Sequence, residues 1–118
     1  MKENHKIYTM KMSQIVLLYI AKAERKGYQA QDVYRLLSWL TGYDYDPVRI
    51  DTLLKEGITV YDFYDQASHF NPHASRIKGS ICGVKLDTIT DPIMQKIRYS
   101  DKLIDDLVKG KNLDYLFK

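Results

Sequence analysis

A chain of 118 residues suffices for one hydrophobic core and is short for two, and 45% hydrophobic and 28% charged residues with three prolines and six glycines read as globular, neither disordered nor fibrous. The longest apolar run, Ile15 to Ala21, is seven residues flanked by Lys11, Lys22, Arg25 and Lys26; a membrane span needs about 18, and no small-residue cleavage pattern follows, so a cytoplasmic protein without membrane helix or signal peptide is expected. The formal charge of +3 is segregated: residues 1–31 carry +4, residues 32–68 carry −4, residues 69–85 carry +3 from Arg76, Lys78 and Lys85, and the remainder balances.

In chain order, the first strong segment runs from about Ser13 to Lys26. Ser13 is placed to cap it, Gly27 to end it, and Ile15, Val16, Tyr19, Ile20 and Ala23 form its stripe, with Leu17 and Leu18 expected to widen the buried face. A strand over Ile15 to Ala21 is the alternative, but the charged continuation Lys22 to Lys26 favours a helix. Val33, Leu36, Leu37 and Leu40 give a second helix closed by Gly42, with Tyr34 and Trp39 beside the stripe. Asp46-Pro47 opens a third, because proline at the first helical position lacks only an amide that has no partner there. It carries Ile50, Leu53 and Leu54 inward and stops at Gly57. Thr59 with Asp62 resembles a capping box for a fourth helix bearing Val60, Phe63, Tyr64 and Ala67.

From His69 to Thr90 the periodicity fails, and Asn71, Pro72, Gly79 and Gly83 mark irregular backbone. Cys82, Val84 and Leu86 alternate with small or charged neighbours, the pattern of a short ribbon for which no partner strand stands out. Asp91-Pro92 repeats the cap-and-proline start for a long helix through Ile93, Ile97, Ile104, Leu107 and Val108 to Gly110. Ser100 and Asp101 interrupt its stripe, which predicts a close helix crossing or a polar contact. Asn112 is placed to cap a final turn through Leu113, Leu116 and Phe117. The expected fold is all-α: one domain over residues 1–118, a small compact bundle of five to six helices with one long irregular connection at about 69–90.

Several strings taken together resemble a bacterial family, domain of unknown function 2200. They are Ile7-Tyr8-Thr9, Ala21 to Gly27, Trp39-Leu40-Thr41-Gly42-Tyr43, Asn71-Pro72, Ile81-Cys82-Gly83-Val84, Asp91-Pro92, and Ile97-Arg98-Tyr99 running into Asp101 to Asp105. The resemblance covers nearly the whole chain. It implies a compact, mainly α-helical cytosolic protein without an established catalytic activity, so it transfers no catalytic residue.

The irregular connection concentrates the chemistry. Ser75, Arg76, Lys78, Gly79 and Gly83 bring a hydroxyl, two cations and two glycines together, and Arg98 and Tyr99 are placed to join from the long helix. Such a set suits an anion, because glycine lets backbone amides converge and guanidinium and ammonium groups neutralise phosphate or carboxylate. The glycine spacing is not that of a P-loop. A non-enzymatic protein capturing an anionic small molecule or an acidic protein partner at residues 71–85 is the leading expectation. Two alternatives stand beside it: a thiol enzyme using Cys82 with His73 and Asp87 or Asp91, and a weak nucleic-acid binder. Nucleic acid is disfavoured because a recognition helix from the second or third helix would lie in the −4 segment and repel phosphates. His69 and His73 have helical metal-ligand spacing, but Asn71-Pro72 breaks the helix between them. Asp44, Asp46 and Asp51 lack the spacing of a calcium loop. No metal, cofactor or membrane partner is expected; self-association is left open.

Overall fold

The glycine stops and Asp-Pro starts cut the chain where the periodicity does. The computed structural model describes residues 6–43, 47–81 and 83–113. Its helices are α1 (Lys6–Thr9), α2 (Met12–Glu24), α3 (Ala30–Thr41), α4 (Pro47–Lys55), α5 (Val60–Asp65) and α6 (Pro92–Val108). Between α5 and α6 come a 3-10 turn at Pro72–Arg76, an antiparallel ribbon of β1 (Ser80–Ile81) and β2 (Val84–Lys85), and a second 3-10 turn at Leu86–Thr88. The chain is mostly helical, as the periodicity requires. The ribbon's partner strand is the dipeptide immediately before its turn, too short to leave a period of its own. Asp46, Cys82 and residues 114–118 lie outside the described residues, and with them the cap assigned to Asp46 and the final turn assigned to Asn112.

Helix α2 begins one residue before the expected cap. Lys11 occupies the N-cap position without a side-chain hydrogen bond, and Ser13 lies inside the helix. A tertiary contact replaces the cap: Lys11 bridges Thr59, the Met12 amide donates to the Ile58 carbonyl (2.9 Å), and the Val60 amide donates to the Met10 carbonyl (2.8 Å). One of the orphan amides of the helix start is thereby satisfied by the loop before α5. At the other end Gly27 is left-handed (φ 87°) and the Tyr28 amide reaches back to Ala23 (3.1 Å), the closure glycine permits. The buried face is Met12, Ile15, Val16, Tyr19 and Ala23. Leu17 and Leu18 do not widen it; they are 65% and 61% exposed, because the run from Ile15 is apolar all round and the neighbouring helices cover one side.

The later elements follow their capping chemistry. Thr59 accepts from the Asp62 amide (3.1 Å), and Asp91 Oδ1 accepts from the amides of Ile93 (3.0 Å) and Met94 (3.4 Å), with Pro92 opening α6. Asp91 also receives the Tyr8 hydroxyl at 2.6 Å, tying α1 to the start of α6. Val33, Leu37, Leu40, Ile50, Phe63, Ile97, Leu103 and Ile104 join the face of α2 in one core. Each such side chain contributes about 1.5–3 kcal/mol on removal from water.

Ser100 and Asp101, the interruptions in the α6 stripe, meet hydroxyls of neighbouring helices, Ser100 within the core and Asp101 at its edge. The Tyr64 hydroxyl lies 2.6 Å from Ser100 Oγ, and Ser100 donates onward to the Lys96 carbonyl (3.3 Å). Tyr19 donates to Asp101 Oδ1 at 2.6 Å, and Arg98 holds the other carboxylate oxygen at 3.0 Å. Burial raises the phenol pKa of both Tyr19 and Tyr64, and the neighbouring Asp101 charge adds to it.

Gly42, which ends α3 at φ 83°, also meets the backbone of His69, and a Cβ there would overlap the His69 carbonyl oxygen. Gly27 has a similar φ of 87° with nothing within 4 Å. In urea unfolding Gly27→Ala therefore costs about 1 kcal/mol for left-handed strain alone. Gly42→Ala costs on the order of 3–4 kcal/mol, because overlap adds to the same strain. For the tyrosines, a pKa raised in the folded state gives stability that is complete below the unfolded value of about 10 and is lost as pH rises above it. Absorbance titration near 295 nm will show phenols, Tyr19 and Tyr64 among them, that ionise only on alkaline unfolding, and Tyr64→Phe, measured by denaturation from pH 8 to 11, will flatten the alkaline loss.

Candidate functional site

The connection between α5 and α6 is fastened at several points. Asn71 donates its backbone amide to the Leu40 carbonyl (2.8 Å) and its side-chain amide to the Trp39 carbonyl (3.0 Å), using carbonyls that the end of α3 leaves without helical partners. Its side-chain oxygen accepts from the His73 amide (2.8 Å), which starts the 3-10 turn at Pro72. Ala74, Ile77 and Leu86 are buried and anchor the segment in the core. The ribbon register pairs Ser80 with Lys85 and Ile81 with Val84, and the Leu86 amide extends the pairing to the Gly79 carbonyl (3.0 Å).

These anchors leave a cleft of about 410 Å³ between the connection and α6. Ser75, Ile77, Lys78, Gly79 and Ser80 line one side, Lys85, Leu86 and Asp87 another, and Gln95 and Tyr99 close it from α6. Paired residues of an antiparallel ribbon project from the same face, so Ser80 and Lys85 lie together, and Lys78 lines the same cleft from the segment before β1. Gln95 donates its side-chain amide to the Leu86 carbonyl (3.3 Å), and Tyr99 packs against Phe70 at 6.4 Å between ring centroids. The Tyr99 pKa is raised, first by burial and then by the charge of Asp87, which lines the same cleft. Among the described residues Lys78, Lys85 and Asp87 make no ion pair.

Of the residues singled out in the sequence, Ser75, Lys78 and Gly79 line this cleft together. Arg76 is half-buried at the end of the 3-10 turn, outside the lining. Gly83 is an exposed turn residue (φ 80°), and Arg98 faces Asp101, leaving Tyr99 to represent that part of α6. Ser80 and Lys85 fall within the expected segment 71–85 without being named as ligand residues, Asp87 is named there only as a companion of Cys82, and Gln95 is not singled out at all. The signal for Lys85 was present in the alternation that buries Leu86, whereas Gln95 is placed only by the docking of α6. Cys82 lies outside the described residues; of its proposed companions, His73 is exposed, Asp87 lines the cleft, and Asp91 caps α6 and receives Tyr8.

Beneath the cleft runs a buried ion pair. Lys102 Nζ lies 3.0 Å from Asp106 Oδ1, with the two side chains 9% and 6% exposed, and Lys111 approaches the same oxygen at 3.4 Å. The Lys102 stem passes under Gly79, where a Cβ would come within 3.3 Å of Lys102 Cε. Asp105, one position back, is held below the usual carboxylate range by Lys109, which bonds to it at 2.9 Å.

A mostly helical protein with a cation-bearing cleft beside its longest helix is the class this geometry defines. Residues 6–118 match the family described as uncharacterized protein conserved in bacteria (DUF2200), and the chain belongs to that family. A similar solved structure is the crystal structure of uncharacterized protein SP1917: TM-score 0.86, 41% identity, covering 98% of this chain and 93% of that one. No curated protein matches. Among the described residues no helix is long and apolar enough to cross a membrane.

Removing one partner of the buried pair isolates a charge; removing both does not. Asp106→Ala, which strands Lys102, should lower stability by about 3–5 kcal/mol, and Lys102→Met with Asp106→Leu should lie near wild type. Denaturant titration of the three proteins checks the order.

Proposed function

We propose that this protein is a binding module, not a catalyst, and that it holds a small anionic ligand in the cleft between residues 75–87 and α6. The observation that carries this reading is the pair of ammonium groups, Lys78 and Lys85, that line one cleft without an ion pair among the described residues. Two like charges lining one cleft repel each other, and a carboxylate or phosphate between them turns that repulsion into two charge-assisted hydrogen bonds. Ser75 and Ser80 add hydroxyls. Ile77, Leu86 and Tyr99 offer an apolar wall of the kind that lines small-molecule sites. The volume, about 410 Å³, suits a small molecule better than an acidic protein segment, which needs a longer surface.

Isothermal titration calorimetry with inorganic phosphate, small mono- and dicarboxylates and phosphorylated metabolites tests the reading. At least one should bind, and Lys78→Ala or Lys85→Ala should weaken it by about tenfold or more, equivalent to about 1.4 kcal/mol. Arg98→Ala should leave the affinity unchanged. If no compound binds, or if binding survives both lysine changes, the proposal is wrong.

A further inference from the structure

We propose that the ligand of this cleft is a zwitterion with an apolar body, of the free amino-acid type, held by its carboxylate at Lys78 and Lys85 and by its ammonium at Asp87. The inference rests on the anion-binding reading above and adds the ligand's second pole.

A cleft built for an anion alone has no use for a carboxylate in its lining. Asp87 nevertheless lines it together with both lysines and has no ion pair among the described residues. The charges come from different pieces of backbone: Lys78 precedes β1, Lys85 ends β2, and Asp87 belongs to the 3-10 turn that follows. Asp87 lines the cleft together with Tyr99 of α6, and its charge contributes to the raised Tyr99 pKa. Gln95 points a donor at the Leu86 carbonyl, and its amide oxygen remains as an acceptor. The two acceptors suit an ammonium, and the two lysines suit a carboxylate.

The consequence is selectivity by charge pattern. A dianion meets the lysines but is repelled by Asp87, whereas an amino acid turns the same carboxylate into an attraction. Ile77, Leu86 and Tyr99 leave an apolar wall for the side chain.

The experiment is calorimetry of the intact protein with each of the free L-amino acids, followed, for the tightest, by its N-acetyl derivative (anion only) and its carboxamide (cation only), with succinate and inorganic phosphate alongside. A free amino acid should bind at least about tenfold more tightly than either derivative. Asp87→Asn, an exposed position whose folding circular dichroism will verify, should weaken the amino acid while tightening the N-acetyl derivative and succinate. Lys85→Ala should weaken all three. If succinate, phosphate or the N-acetyl derivative binds as well as any free amino acid, or if Asp87→Asn moves amino acid and anion in the same direction, the zwitterion inference is overturned and anion binding stands. If nothing binds, both are overturned.

Discussion

A phenol shut away from water must find its hydrogen bond within the protein, and the arrangement of the central helices follows from how Tyr64 does so. Its hydroxyl meets Ser100 across the α5–α6 crossing, while Tyr19 from α2 donates to Asp101 on the next residue of α6. An unmade hydrogen bond at this depth costs about 1–3 kcal/mol, so sliding α6 along its neighbours is penalised in a way that apolar contacts alone would not impose. Leucines and isoleucines around the crossing supply burial energy, but they tolerate small shifts in register. The hydroxyl–carboxylate contacts do not.

That fixed helix presents the cleft. Gln95 and Tyr99 stand on the wall of α6 because Ser100 and Asp101, in the following turn, are held in place, and Lys102 continues from the same turn to pass beneath Gly79. The opposite wall is a segment with little regular structure, and its order comes from outside itself. Asn71 uses the spare carbonyls at the end of α3, Gly42 lets the backbone of His69 approach, and Ile77 and Leu86 are buried in the core. Lys78, Lys85 and Asp87 are consequently carried on exposed positions of a segment that Ile77 and Leu86 anchor in the core.

Much of the helical layout was legible in the residues. Gly27, Gly42, Gly57 and Gly110 all have positive φ, and Asp91-Pro92 caps α6 as its chemistry demands. The break in the α6 stripe at Ser100 and Asp101 marks a polar contact, although nothing local names Tyr64 and Tyr19 as the partners. Leu17 and Leu18 were misread because a run that is apolar on all sides does not reveal which side its neighbours will cover. Ser13 failed as a cap because the loop at Ile58 to Val60, more than 40 residues away, supplies the bond that a cap would have supplied.

The candidate cleft divides along the same line. Composition and turn chemistry were enough to draw attention to Ser75, Lys78 and Gly79, because hydroxyls, cations and glycines close in sequence are also close in space. Arg98 and Tyr99 are neighbours on one helix, and sequence does not say which of the two turns toward the connection; packing directs Arg98 to Asp101 and Tyr99 to the cleft. The sequence by itself determined where helices start and stop and which segment concentrates positive charge, since capping, periodicity and glycine conformation act over a few residues. Only the tertiary structure decided which faces are covered, which hydroxyls pair, and that Asp87 lines the same cleft as the two lysines, because those outcomes depend on contacts between elements distant along the chain.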